Sequence, residues 1–463
     1  MTRHPRPMPA RRERWWTGPR LEVAAWLAAY LAVLTLAMAA GFRMWVPWDY
    51  VNLLPRELLA ERLGESVWNL HSQPPLLNLV LGGALALAGG VGGVGGTVES
   101  WLFALHALIG GVVVAATACL LLRLRIRPWL RGVVMALLVL DPAFYIFLTL
   151  FFTPLYELLW LSLAALAAHR FAERPSARAF AAFSVPVVAL AYSRALFHPV
   201  WAGAALAAVA ASCGNAVAAS CGNAAPPAER RRIAGVLALS VALLAAWPLK
   251  NALRFGVWGF SSWQGYNLSR GLAIAPPPAW ALFSWDRLPG ADAARAGALA
   301  LVPERFRGIP ALTLTTKADG SPNWNHYAMI GMSAELGHRA LAVMTHQPRK
   351  VVTKALDTYL HVFCRPPVKA GGVLWTRLFA ACFPLLCAAA AWRIFKLRVA
   401  DRSAAVALAF LLAAVLWVLA MALFVDGDEA NRLRFSTQLA LWIGAAAALE
   451  GWLPAPPAGR TVR

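Results

Sequence analysis

Two carboxylates at the ends of apolar runs are the residues most able to do chemistry. Asp49 follows the first apolar run, 21–42, and Glu157 lies about one turn inside a later run, 151–169. An ionisable group at such a depth in a membrane is costly unless it is paired or functional, and a positioned carboxylate can act as a general base. We therefore predict that Asp49 and Glu157 are catalytic. The alternative for Asp49 is that it is the N-cap of a helix over 52–63.

Charged side chains also stand at three corners between apolar runs. They are Arg194 and His198 in SRALFHPVW, Lys250 in WPLKN, and Glu429, Arg432 and Arg434 in DEANRLRF. Short outer loops are normally poor in Arg and Lys, whereas these cations suit phosphate recognition. The set predicts substrate-binding residues for a phosphate or diphosphate at the outer leaflet. The alternative is that pairs such as Glu429 and Arg432 only hold the corners together.

The segment HSQPPL adds two further candidate binding residues, His71 and Gln73. Its two prolines favour a helix start, and an outward-facing helix N-terminus can also receive an anion. The nine His and six Cys residues show no spacing typical of zinc. The sequence therefore predicts no metal site and no cofactor.

Composition defines the class of protein that carries these residues. The 463-residue chain is 60% hydrophobic and 14% charged, with a mean hydropathy of +0.58. These values exclude a disordered chain, a disulfide-rich module and an ordinary soluble enzyme, and they indicate a membrane protein. The net charge is +21, but the basic residues cluster between apolar runs, which is typical of membrane orientation rather than of nucleic-acid binding.

Ten apolar runs are candidates for membrane spans. They are 21–42, 98–122, 132–149, 151–169, 179–192, 198–212, 233–249, 373–392, 403–424 and 435–450. Basic clusters follow every second run, which predicts that both termini are cytoplasmic. The run 76–88 has only about 13 residues and is too short to cross.

We therefore predict an all-α polytopic membrane protein with about ten transmembrane helices and a re-entrant or juxtamembrane outer helix. An N-terminal transmembrane module covers 1–250 and includes a catalytic first outer loop, 43–97. A large outer loop region covers 251–372, and a C-terminal transmembrane module covers 373–463. Helix-like stretches at 326–344 and 349–362 lie within this outer region.

An Asp just after the first span, followed by HSQPPL, resembles the pattern of GT-C fold integral membrane glycosyltransferases. The likeness is to the protein O-mannosyltransferase and aminoarabinose-transferase branch and its bacterial homologues. SRALFHPVW, WPLKN, SSWQGYNLSR, NWNHY and DEANRLRF also resemble features of such proteins. The chain departs from the pattern at Gln73, where many members have Lys, and at Tyr50, where many have an acidic residue.

This resemblance implies a reaction at the periplasmic side of a bacterial inner membrane. A polyprenyl-phosphate-linked sugar would be the donor, and a hydroxyl of a glycan, lipid or protein would be the acceptor. Two other classes of protein stay open from the sequence alone. One is a lipid or polysaccharide transporter or flippase, although no duplicated halves are visible, and the other is a non-catalytic membrane scaffold.

Overall fold

The computed structural model describes residues 18–89, 97–212, 226–274, 297–364, 373–424 and 430–454. In these ranges the chain is all-α, with two isolated β-bridges and no strand. The helices are α1 (Gly18–Ala39), α2 (Arg56–Glu61), α3 (Leu63–Trp68), α4 (Leu76–Leu87), α5 (Val98–Arg123), α6 (Pro128–Val139), α7 (Pro142–Thr149), α8 (Thr153–Glu173), α9 (Ala177–Ser193), α10 (Pro199–Ser212), α11 (Pro227–Phe255), α12 (Gln264–Gly271), α13 (Pro310–Thr313), α14 (Ala328–His346), α15 (Pro348–Cys364), α16 (Val373–Ala400), α17 (Arg402–Phe424) and α18 (Ala430–Trp452). Two 3-10 turns, Leu299–Leu301 and Glu304–Phe306, precede α13.

Each of the ten predicted apolar runs contains a helix. Within the described residues, α1, α5, α11 and α17 are long and apolar enough to cross a membrane, and α6 with α7 makes a fifth candidate if the bent pair is one span. The prediction of an all-α chain with several such helices is confirmed. The count of ten spans stays a prediction.

The run 132–149 was predicted as one span but forms two helices, α6 and α7, with a bend of 44° between them. The Asp141 side chain accepts a hydrogen bond from the Ala143 N–H at 2.9 Å and caps the second helix. Pro142 has no N–H to continue the first helix. Capping by Asp141 and the missing N–H of Pro142 therefore break the helix, although the run is continuously hydrophobic.

The helix predicted over 52–63 is instead two short helices, α2 and α3. Pro55 disfavours helical geometry in the residue before it, so α2 begins only at Arg56, with Pro55 in the N-cap position and no side-chain cap. Asp49 is therefore not the N-cap of this segment, and the capping alternative for Asp49 is wrong.

Helix α4 confirms the short helix expected over 76–88. Leu77, Leu81 and Leu85 repeat every four residues on its buried face. Asn78 joins α4 to the segment after α1, because its side chain accepts from the Leu54 N–H at 2.9 Å and donates to the Asn52 carbonyl at 3.0 Å. The start of α4 is thereby fixed beside the first outer loop.

Helix α8 lies at the centre of the bundle and packs against α5, α9, α17 and α18. Most of its side chains are buried, including Ala164, Ala165 and Ala168 on its small-residue surface. Small residues let helix backbones approach closely, which is how helices associate in lipid without a hydrophobic driving force. The N-terminal end of α8 then carries Glu157 into the bundle.

In the region predicted to lie outside, α12 and α14 pack against each other and cross at two glycines, Gly265 and Gly337. The ring centroids of Trp263 and Trp324 lie 5.3 Å apart in a second buried cluster that also contains Leu336. The predicted helices at 326–344 and 349–362 are found as α14 and α15. This crossing positions the NWNHY segment just before α14.

Replacing Gly265 by Ala should destabilise the protein by about 1–3 kcal/mol, since overpacking costs this much. A Cβ at Gly265 would collide with the Ser333 backbone carbonyl and lie 2.8 Å from the Gly337 Cα, and neither backbone can rotate away. Thermal unfolding of the purified protein in detergent measures the effect. Gly308→Ala is the matched control, because a Cβ there meets no atom within 4 Å. Equal stability of the two variants would contradict the close crossing.

Candidate functional site

Asp49 is exposed on a turn whose backbone is held firmly. The Trp45 carbonyl accepts from the Phe151 N–H at 3.0 Å, in the junction between α7 and α8. The Tyr50 ring lies 4.3 Å from the Phe152 ring, measured between centroids. The turn therefore presents an exposed carboxylate from a rigid support at the end of the bundle where α8 begins.

Lys317, from residues 251–372, contacts the same turn and binds the backbone carbonyls of the two residues that flank Asp49. Its ammonium donates to the Trp48 carbonyl at 2.9 Å and to the Tyr50 carbonyl at 2.7 Å. Lys317 is buried, and burial lowers its pKa to about 8, while the negative charges of Asp319 and Asp49 act in the opposite direction. The Asp49 carboxylate is thus placed beside a partly desolvated cation.

A tight turn supports Lys317. The Lys317 N–H donates to the Ser321 carbonyl at 2.8 Å, and the Gly320 N–H donates to the Lys317 carbonyl at 3.0 Å. Gly320 has φ +82°, which glycine adopts without strain. The Asn323 amide then donates to the Leu314 carbonyl at 2.8 Å and closes the base of this turn.

His71 is fully buried in the HSQPPL loop, and Asn325 holds it. The Asn325 side-chain oxygen accepts from the backbone N–H groups of His71 and Ser72, at 2.9 and 3.1 Å. Its amide nitrogen donates to the carbonyls of Asn69 and Ala311, at 3.1 and 3.2 Å. One side chain therefore satisfies four backbone groups and joins the first outer loop to the outer region.

The tautomer of His71 follows from its partners. Nε2 lies 3.0 Å from the Asn325 backbone carbonyl, which can only accept, so Nε2 carries the proton and Nδ1 accepts from the Ser262 hydroxyl at 2.8 Å. Burial lowers the pKa of His71 to about 3, and the nearby Lys250 charge adds to the lowering. His71 is neutral at physiological pH, and neither ring nitrogen is open to a ligand in this arrangement.

Two cations from α11 reach the same loop. Lys250, which is buried, donates to the Leu70 carbonyl at 2.6 Å, and its ammonium lies 3.8 Å from the centre of the Trp247 ring. Arg254 donates to the Asn69 side-chain oxygen through Nε at 2.9 Å and Nη2 at 2.6 Å. Both cations therefore stabilise the loop that leads into α4.

Glu157 forms a buried ion pair with Arg194. Their nearest atoms, Oε1 and Nη1, lie 3.2 Å apart, and the two residues are 0% and 8% exposed. The second Glu157 oxygen is buried and has no hydrogen-bond partner among the described residues. A shallow cleft lies on adjoining elements and is lined by Leu76, Leu77, Val80, Thr153, Tyr156 and Ser193. The start of α4, the start of α8 and the end of α9 thus meet beside the pair.

The remaining predicted residues are placed as follows. Gln73 is half-buried, and its amide bonds to none of the described residues. His198 precedes α10, where its Nδ1 accepts from the Val200 N–H at 3.3 Å. Arg432 and Arg434 lie near the start of α18 with side chains outside the described part, and Glu429 is outside the described residues altogether. The convergence of these cations with Arg194 and Lys250 stays a prediction.

Sequence reasoning missed Lys317, Asn325 and Arg254 as members of the site. Lys317 stands in KADGS, where Asp, Gly and Ser indicate only a turn. Asn325 lies in NWNHY, a motif noticed for its resemblance rather than for a contact. These contacts join residues that are between 185 and 269 positions apart in the chain, and no local pattern carries such information.

The described side chains include no group of three or more His, Cys, Asp or Glu residues that could hold a metal ion. Their arrangement instead offers an exposed carboxylate on a rigid turn, with buried cations in the elements around it. No protein-family model, curated protein or solved structure gives a significant match to this chain. The function is therefore inferred from the residues themselves.

The His71 environment predicts a pH dependence of stability. The folded protein holds His71 neutral down to about pH 3, whereas the unfolded chain takes up a proton below about pH 6.5. Stability from this group is therefore fully present above pH 6.5 and falls as the pH falls toward 3.

His71→Gln should be less stable than the parent at pH 7.5 but should lose less stability between pH 7.5 and pH 5. Thermal unfolding of both proteins at the two pH values tests this. A loss of the same size in both proteins would show that His71 is not the buried neutral group described here.

Proposed function

We propose that the protein is a membrane glycosyltransferase. It moves a sugar from a polyprenyl-phosphate donor to a hydroxyl of a glycan, lipid or protein acceptor, at the periplasmic face of a bacterial inner membrane. The observation that carries the proposal is the exposed Asp49 carboxylate on a turn that Lys317 holds at both flanking carbonyls. Rigid support of a reacting group is what catalysis by positioning needs.

In this reaction Asp49 is the general base. The acceptor oxygen attacks the anomeric carbon, the bond from that carbon to the lipid phosphate oxygen breaks, and the acceptor proton passes to the carboxylate. An exposed carboxylate on a fixed backbone suits this role, since the base must reach a hydroxyl that enters from outside. Glu157 is less suited to receive that proton, because it is fully buried and paired with Arg194.

The lipid phosphate leaves with its negative charge, and fixed cations stabilise that charge as it develops. Arg194 is the candidate best supported, because it stands at the end of α9 beside the cleft between α4 and α8. Arg432 and Arg434 are further candidates on α18. Lys250 contributes indirectly, since its ammonium already binds the Leu70 carbonyl and thereby holds the HSQPPL loop.

This function requires the candidate site to lie on the outer side of the membrane. We place ten spans in the chain, with both termini in the cytoplasm and 251–372 outside. The support is the alternation of basic clusters after every second apolar run. It is also consistent with the position of Asp49, which follows α1 directly and lies at the end of the bundle opposite the N-terminus of α1.

Reporter fusions after residues 130, 300 and 400 test this topology. We expect a cytoplasmic signal at 130 and 400 and a periplasmic signal at 300. A cytoplasmic signal at 300 would overturn both the topology and the proposed donor, since the site would then face the wrong leaflet.

Asp49→Asn should fold normally and lose sugar transfer by about 10² to 10⁴-fold, the usual effect of removing a general base. The substitution keeps the size of the side chain and removes only its ability to take a proton. Purified protein is incubated with labelled polyprenyl-phosphate sugars and an acceptor extract, and transfer and hydrolysis are both followed. Thermal unfolding confirms that the variant is folded.

Asp319→Asn is the matched control. Asp319 is also exposed and also acts on Lys317, but its carboxylate accepts from the Ser321 N–H within the supporting turn. We expect near-normal transfer from this variant. Transfer that survives in a folded Asp49→Asn protein would remove Asp49 as the base, and donor movement across the membrane without transfer would favour a flippase.

A further inference from the structure

A narrow cleft lies between α16, α17 and α18. Its walls are almost entirely apolar and include Leu386, Leu412, Leu441 and Gly444. Among the described residues, Arg393 on α16 is the one charged residue that lines this cleft.

Arg393 has no carboxylate to pair with among the described residues. Its Nε is buried without a hydrogen-bond partner. Glu450, which precedes Gly451 on α18, is paired with Arg127 instead: it accepts from the Arg127 N–H at 2.9 Å and from Arg127 Nε at 3.0 Å. Arg393 lies against Gly451, where a Cβ would come 2.9 Å from its Cδ, so α18 leaves space for the long side chain. A guanidinium in an apolar cleft needs an anion.

The position of Arg393 along α16 matches the level at which lipid head groups lie. It lies seven residues before the end of α16 at Ala400, or about 10 Å along a helix axis. Trp392 and Trp452 beside it are 54% and 69% exposed, and exposed Trp side chains mark the level of the membrane interface. The apolar part of the cleft extends from this level toward the middle of the spans.

Arg393, at one end of the cleft, is distant from the candidate catalytic site. Arg393 is near the end of the bundle where α17 begins at Arg402. Trp417, fifteen residues along α17, donates to the Leu196 carbonyl in the loop after α9, which also carries Arg194. This separation is about 22 Å along the helix axis. Arg393 therefore lies toward the opposite membrane leaflet, and the apolar lining of the cleft extends from it along α17 to Val415.

We infer that the cleft binds an anionic phospholipid, with its phosphate on Arg393 and an acyl chain along Leu386, Leu412 and Leu441. Charge selects this occupant, because the guanidinium lacks a protein anion and a phosphate accepts two of its N–H groups at once. The apolar walls select a chain rather than a free phosphate. This lipid site is independent of the proposed glycosyl transfer and has no part in its chemistry.

Native mass spectrometry of the delipidated protein in detergent tests the inference. Phosphatidylglycerol and phosphatidylcholine with the same acyl chains are titrated separately. We expect about tenfold tighter binding of phosphatidylglycerol, the size of effect that a charge-assisted hydrogen bond supplies. Arg393→Gln should abolish this preference, and Arg393→Lys should keep part of it.

Arg398→Gln is the matched control, because Arg398 is on the same helix but stacks on the exposed Phe395 ring at 3.8 Å and does not line the cleft. It should retain the preference. Gly444→Leu fills the cleft and should weaken binding of both lipids while Arg393 is intact. Equal binding of the two lipids by the parent protein, a preference that survives Arg393→Gln, or a lipid-free dimer that covers the cleft would each overturn the assignment.

Discussion

The buried loop 69–72 imposes the constraint on which the outer end of the protein depends. Its backbone groups are removed from water, and an unpaired buried polar group costs about 1–3 kcal/mol. The Asn325 side chain bonds three of these backbone groups, Lys250 donates to the Leu70 carbonyl, and the Ser262 N–H donates to the His71 carbonyl at 2.8 Å. Since the partners come from α11 and from two separate parts of the outer region, the loop can keep this conformation only when all three are assembled.

In this assembly, structural roles and the proposed catalytic role fall on different residues. Buried polar residues such as His71 and Asn325 serve as supports, and their hydrogen bonds leave them little capacity for a ligand. Asp49 is different, because its backbone is fixed by Lys317 while its carboxylate stays exposed. A reactive group on a rigid turn loses little conformational freedom when a substrate binds. The supports and the proposed base are thus separate residues.

The ionisable groups among the helices differ in the partners that stabilise their charge. Glu157 and Arg194 form a buried pair, and Lys250 lies on an aromatic face and donates to a carbonyl. Arg127 and Glu450 pair at the other end of the bundle. Arg393 differs from these, because among the described residues its buried Nε has no hydrogen-bond partner. An ionisable group without a partner is costly in a low-dielectric surrounding.

The sequence by itself predicted an all-α chain, the positions of most of its helices and several apolar helices long enough to cross a membrane. Long apolar runs can satisfy their backbone groups in lipid only as helices, and local signals such as Pro55 and Asp141 explain where helices begin or break. The tertiary structure alone decided which polar residues meet. Lys317 and Trp48 are 269 positions apart, and a hydrogen bond acts over about 3 Å. Such a contact depends on where the packed helices bring their loops, which no local pattern of residues encodes.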